Sequence, residues 1–536
     1  MSRKRGQTIL AILVATGAAV SMQASLANGQ EPSSKGDGSS APQIRMRWQD
    51  FIGGADGAKR LASLQTAIAK MRSLDKSPHN SSDYRRSWEY WANIHGYYGS
   101  KSPDGTIADQ KQYLTDHGMA GYLSDYNGII DQLAPDAIAE KIWATCEHSG
   151  DTPAQNFFGW HRMYLYYFER VLRWAAGDDT LRLPYWDYTD PGHESLPAEF
   201  QSKTSALYDS RRDPGLNTGA SQLNSNSTNS DSFLRKADYF SFESDIESLI
   251  HGYVHCTVGP SCPVAHMGDV PVAANDPVFY THHANIDRLW ACWQNAHSLP
   301  AGSWQDQPFS FVDDTGALQT QPVKNFLDST ALGYVYDNVD NCTRAGGPRI
   351  SANAALEQAI TEGRQLQKTT LGMSSRIAID HPQTTVDINV SEPNARLLVA
   401  PPEGTVATEL VLRDVTAESH PGVLFDVYIA KKSQPQARKF VGTISWFGAF
   451  RHHGSKGPEK RTFEFSVSDQ LRELGEIAGT SLTVTVEATQ GRVATNPDQA
   501  KSMQAAAAKA FRSEAKMQIG AIELQTKSIP AQSGNR

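Results

Sequence analysis

Past its first 20 residues the sequence has no apolar run long enough to cross a bilayer, no stripe of basic residues and no internal repeat. These absences remove a membrane-spanning body, a nucleic-acid binder and a solenoid from consideration. Phosphate binding needs a concentrated positive surface, and the formal net charge here is −8. The bulk composition carries no sign of disorder or of collagen-like repetition. Cysteine is sparse, with five residues, so two disulfides would leave one thiol over. Cys256 and Cys262 are close in sequence, Cys292 and Cys342 form the simplest remaining pair, and Cys146 is then the odd one.

What is present exceeds one ordinary core: 536 residues call for two domains plus connecting segments. Arg3, Lys4 and Arg5 precede an apolar run from Ile9 to about Val20 and the small-residue stretch Ser25-Leu26-Ala27. Residues 1–27 therefore read as a cleavable export signal, to a periplasmic or secreted destination. No adjacent Arg-Arg pair stands in it, which leaves the export route open. Residues 28–45, rich in Ser, Gly and Pro, read as a flexible lead-in.

From 46 to 345 aromatic-rich helical patterns alternate with loops, giving a mainly α domain. Phe157, His161, Leu165, Phe168 and Leu172 recur at helical spacing, so one apolar face carries a histidine. A second helix is expected from Ser244, which with Glu247 fits a capping box, to beyond His255. A third is expected over 278–297, after the cap Asp276 and Pro277. The polar stretch 210–232 reads as an exposed insertion. Residues 346–393 read as a linker. Beyond it, 394–526 changes to alternating strands, expected at 397–400, 409–415, 424–430, 440–446, 462–467, 482–488 and 519–525. Seven short strands predict an all-β sandwich or barrel-like domain, with an alanine-rich helical insertion over 498–515 and a tail over 527–536.

Twelve of the sixteen histidines lie before residue 300, where the helical patterns are. His251 and His255 stand four apart, on one helix face, where they can grip one metal. The helix carrying His282 and His283 offers a third imidazole. A matching set is His161, His148 and His95. Zinc is the main competing metal, but the zinc-protease pattern needs Glu directly after the first histidine, where Gly252 stands. Imidazole coordination without carboxylate suits copper, which must cycle between Cu(I) and Cu(II).

The stretch Asp276-Pro277-Val278-Phe279-Tyr280-Thr281-His282-His283-Ala284-Asn285-Ile286-Asp287-Arg288-Leu289-Trp290 resembles the second copper motif of tyrosinases, plant polyphenol oxidases and molluscan haemocyanins. Trp160-His161-Arg162-Met163-Tyr164-Leu165-Tyr166-Tyr167-Phe168-Glu169, followed by Leu183-Pro184-Tyr185-Trp186-Asp187-Tyr188, resembles the first. Leu424-Phe425-Asp426-Val427-Tyr428-Ile429 is similar to the signature of the domain that follows the plant catalytic domain.

The resemblance implies a helical bundle holding two copper ions, the type-3 centre. His95, His148 and His161 would bind the first, and His251, His255 and His283 the second, with His282 adjacent in the substrate pocket. It implies oxidation of ortho-diphenols to quinones with O2 as co-substrate, small phenols as partners and a copper-delivery chaperone as the one protein partner. A tyrosinase, an ortho-aminophenol oxidase and a haemocyanin-like oxygen carrier are the alternatives. Cys146 matches the fungal and molluscan place for a thioether to His148, against a plain buried thiol. Glu247 matches the acid that positions a proton-accepting water, a role compatible with capping. Asp287 is either an orienting group for a ligand imidazole or a helix-surface charge. Gly252 departs from the Asn of many monophenol-hydroxylating relatives, which weakens the case for monophenol hydroxylation. Val270 stands where plant enzymes place a bulky gate. The loop with Trp446, Phe447 and Phe450 is either a plug over the site or packing within the β-domain.

Overall fold

The computed structural model describes residues 41–149, 156–264, 266–339, 342, 366–399, 405–450, 460–475 and 482–529. The expected leader, most of the lead-in and the first part of the expected linker lie outside these residues. Among the described residues no helix is long and apolar enough to cross a membrane.

Five helices frame the first half: α1 (Gly57–Ser73), α2 (Trp88–His95), α3 (Phe157–Ala176), α4 (Tyr239–Asp245, Ile246–His251 and Gly252–Val258, run together) and α5 (Val278–Gln294). Leu64, Ala67, Ile68 and Met71 give α1 one buried stripe, which packs on α3. Gly177, at φ +63°, stops α3 in the left-handed conformation that glycine adopts without a Cβ penalty. Asp276 accepts from the amide of Val278 and pairs with the buried Arg212, fixing the entry to α5.

Two expectations about α4 are corrected. Its cap is Asp238, which accepts from the Ser241 amide, so Ser244 sits inside the helix and no capping box forms with Glu247. The turn Ile246–His251 is π-helical, a widening that α-helical periodicity does not encode.

The lead-in also ends sooner than expected. Gln43–Arg45 pairs in parallel with Tyr334–Tyr336, and Arg45 is wholly buried against Glu169 and Asp287. The stretch 210–232 is no loose insertion: its strand Ser221–Leu223 pairs with Arg492–Ala494, and Asp213 meets Arg492. Both disulfides form as expected, Cys256–Cys262 at the end of α4 and Cys292–Cys342 at the end of α5.

The second half is one eight-stranded antiparallel sheet made of β1 (Gln367–Ser374), β2 (Gln383–Val390), β3 (Thr405–Val415), β4 (Leu424–Lys431), β5 (Lys439–Ile444), β6 (Arg461–Ser466), β7 (Leu482–Thr489) and β8 (Ala521–Ser528). Its order is β5-β4-β7-β2-β1-β8-β3-β6. The end strands β5 and β6 come face to face, with the Phe465 ring filling the space above Gly442. The sheet is thus a nearly closed barrel rather than two stacked layers.

Strands β1 and β2 come from the expected linker, and β8 runs two residues into the expected tail. Residues expected as a strand over 397–400 instead end the helix Glu392–Val399. The expected helical insertion is present as Ala500–Ala510.

Candidate metal centre

The ends of α2 and α4 and the starts of α3 and α5 converge, and each brings imidazoles into one buried pocket. His251, His255, His282 and His283 place ring nitrogens within 4.8 Å of one another, with no carboxylate among them. Beside them His95, Cys146 and His161 form a second such group. The two groups touch, since the His161 and His283 rings stack at 4.3 Å.

Backbone carbonyls orient most of these rings. His95 Nδ1 meets Val270 O at 3.1 Å, His161 Nδ1 meets Phe157 O at 2.7 Å, His251 Nδ1 meets Glu247 O at 3.2 Å and His255 Nδ1 meets Met267 O at 2.7 Å. A carbonyl only accepts, so each Nδ1 carries the proton and each Nε2 keeps a lone pair for a metal. The π turn supports this: the Glu247 carbonyl takes the Gly252 amide five residues on and still reaches the His251 ring.

Burial drives the imidazoles toward their neutral form. It brings His161 down to about 3, and burial followed by neighbouring imidazoles holds His251, His255, His282 and His283 well below the ordinary histidine range. Among the described residues His251 Nε2, His282 Nε2 and His283 Nδ1 are buried without a hydrogen-bond partner. Neutral, orphaned nitrogens at this density are costly unless a cation, with any ligand it carries, occupies the space between them. The donor set therefore fits copper.

His148 stands outside both groups. Its Nδ1 lies 2.6 Å from Glu247 Oε1, and the Ser149 amide donates to Glu247 Oε2 at 2.6 Å. Burial would raise the Glu247 carboxyl, but His148 and Ser149 outweigh it and bring it down to about 2. Cys146 occupies the near side of the first group, its Sγ 3.6 Å from His161 Nε2, and is outside both disulfides.

Asp287 touches no imidazole among the described residues. It is no surface charge either, since it is buried and accepts from Arg162, Arg45, Tyr334 and Tyr336. Through Arg162 it holds the α3 segment that begins with His161. Val270 is buried and orients His95 through its carbonyl. Tyr188, quoted in the first motif without a role, bonds His282 Nδ1 at 2.8 Å. Only the fold, which carries Trp186 to the backbone of Thr281, brings that phenol to the pocket.

Residues 445–447, directly after β5, lie against the pocket and are buried rather than exposed. Phe447 stacks on His255, with centroids 3.9 Å apart and planes 13° apart, and meets His251 edge-on at 5.4 Å. Gly252 makes room for it, because a Cβ there would stand 2.5 Å from Ser445 Oγ. Ser445 in turn donates to Ser248 O.

Residues 85–224 and 197–296 match the family model for the common central domain of tyrosinase. Aureusidin synthase of Antirrhinum majus is 27% identical over 372 residues, covering 59% of this chain and 64% of that protein. A tyrosinase of Hahella sp. is 26% identical over 426 residues, covering 71% of this chain and 81% of its own. The chain thus spans somewhat under two thirds of the length of aureusidin synthase. The solved structure of a latent aurone synthase (polyphenol oxidase) from natural source covers 94% of this chain and 91% of its own, with TM-score 0.57 at 19% identity, a likeness of fold. With that motif content and imidazole pocket, residues 85–296 carry the common central domain of tyrosinase.

Proposed function

We propose that this chain is a polyphenol oxidase that converts ortho-diphenols to ortho-quinones with O2. The observation that carries the reading is the buried, carboxylate-free convergence of imidazoles with their Nε2 atoms turned inward. Bound copper supplies the exchange of electrons between diphenol and O2. His95, His148 and His161 would hold one ion, and His251, His255 and His283 the other.

The remaining residues position and exclude. Glu247, with one oxygen on His148 and the other on Ser149, is better supported as the group that orients His148 than as the acid that positions a proton-accepting water. The thioether between Cys146 and His148 is part of the proposal, supported by the place of Cys146 at the first group. Phe447 on His255 supports a shielding role for the β-barrel domain. Gly252 gives a bound phenol no amide, which favours diphenols over monophenols, and Val270 leaves more room for substituted substrates than a bulky gate would. Export rests on the leader-like residues 1–27 and is checked by N-terminal sequencing of the mature protein.

The test is copper analysis combined with O2 uptake on catechol, a monophenol and an ortho-aminophenol. Two copper ions per chain and uptake fastest with catechol are expected. Fastest turnover of the monophenol would make it a tyrosinase, of the aminophenol an aminophenol oxidase. Reversible O2 binding without turnover of any of the three would make it a carrier.

A further inference from the structure

His282 differs from its neighbours in how its ring is held. The other four bonded imidazoles put Nδ1 on a backbone carbonyl, whereas His282 Nδ1 faces the hydroxyl of Tyr188 at 2.8 Å. Tyr188 is fully buried, and its hydroxyl proton needs an acceptor. Asn285 also bonds that oxygen and favours its anionic form, as an amide N–H donor does, while its own Oδ1 accepts from Arg288, which leaves His282 Nδ1 as the acceptor. The phenol therefore donates, Nδ1 accepts, and the ring proton of neutral His282 sits on Nε2.

That Nε2 is buried without a protein partner, on a ring with no exposure, and it belongs to the group whose nitrogens lie within 4.8 Å of one another. The ring is packed between His251, at 5.4 Å and nearly parallel, and His255, at 5.0 Å and perpendicular. The phenol is itself held in place, because the Trp186 amide bonds Thr281 O at 3.1 Å and Arg288 pairs with Asp187 at 2.9 Å. An N–H so fixed cannot ligate a cation, but it can donate to an anion beside one.

We propose that Tyr188 locks His282 as an N–H donor facing the second metal position, where it hydrogen-bonds the anionic oxygen of a ligand bound there, phenolate or hydroxide. His282 is a binding residue and Tyr188 its positioning residue. The inference rests on the dicopper reading given above.

The test uses the full-length, copper-loaded, oxidised protein with azide as the probe. Copper per chain is measured by metal analysis, and azide affinity by titration of the azide-to-copper absorption band. In His282→Gln two copper ions per chain are expected, with azide bound about tenfold more weakly, the loss of one hydrogen bond to an anion. Tyr188→Phe keeps the ring and releases the tautomer, so the same direction with a smaller change is expected, and it serves if His282→Gln fails to fold. A fall to one copper in His282→Gln would make the residue a ligand and overturn the proposal. Two copper ions with azide affinity unchanged in both variants would reduce His282 to packing and overturn it equally. A wild-type protein without two copper ions would instead remove the dicopper reading itself, before any variant is compared.

Discussion

The Phe447 ring lies flat on the His255 imidazole, 3.9 Å away, although one residue stands on α4 and the other follows β5. A ring in that place occupies the space a planar diphenol would take over the second metal position. Phe447→Ala is expected to raise kcat/KM for 4-tert-butylcatechol by about two- to tenfold, the range of one aromatic stack. O2 uptake checks it, and an unchanged value would end the shielding idea.

Gly252→Asn would press a side chain against Ser445 Oγ, 2.5 Å from the added Cβ. The loop bearing Phe447 should be displaced, so limited proteolysis is expected to cut near residue 447 faster than in wild type. Ser445→Gly in the same chain should restore protection. Equal cleavage of all three proteins would show that the loop tolerates the side chain.

Removing the charge of Glu247 should reach the first metal position through His148, which it bonds at 2.6 Å. For Glu247→Gln, copper affinity at that site is expected to fall by roughly 10- to 100-fold, the usual weight of a group bonded to a ligand imidazole. Chelator competition on the purified protein reads this directly. Loss of copper from both sites together would point to general unfolding.

If the thioether forms, Cys146 has no thiol to alkylate. Copper-loaded protein, denatured and treated with iodoacetamide, is expected to show no labelled Cys146 peptide and an intact mass about 2 Da below that with a free thiol, as two hydrogens leave when the bond forms. A labelled peptide from active enzyme would refute the bond.

Asp426 gives a pH dependence away from the metal. Burial raises its carboxyl to about 7 against the pull of the Thr443 hydroxyl, which donates to it at 2.7 Å. Because the folded-state value lies above the unfolded one, the contribution is fully present below the ordinary Asp range and is lost as pH rises to about 7. Across that window wild type should lose on the order of a few kcal/mol from this group, whereas Asp426→Asn should not. Urea midpoints from pH 4 to 8, a range of about four units around these values, provide the comparison.

The clustered histidines were legible because the helix period makes them so: His251 and His255 share a face by spacing alone, and α3 and α5 appeared at nearly their observed bounds. Four of the seven expected strands match β4 to β7 within two residues at each end, and a fifth covers the latter part of β3, because alternation and β-branched residues mark them. What escaped depends on tertiary contact. Strands β1 and β2 are rich in Thr and half exposed, and the alternation of Val386, Ile388 and Val390 marks only the end of β2. Residues 397–399 are helical because the chain from Glu392 packs as one turn after another, against the β propensity of Leu and Val. Asp287 read equally as an orienting group for a ligand imidazole and as a surface charge, and its actual partner Arg45 comes from the end of the lead-in, which helix spacing does not reveal.

One consequence concerns what a cut between the two halves would do. The short ladder of Ser221–Leu223 with Arg492–Ala494, the Asp213–Arg492 pair and the bond from Tyr253 to Gly491 all cross from the helical part to the barrel part without using the connecting peptide. A nicked molecule should therefore still travel as a single particle on gel filtration, its fragments parting only in chaotrope. Severing the chain would then loosen the lid without discarding it.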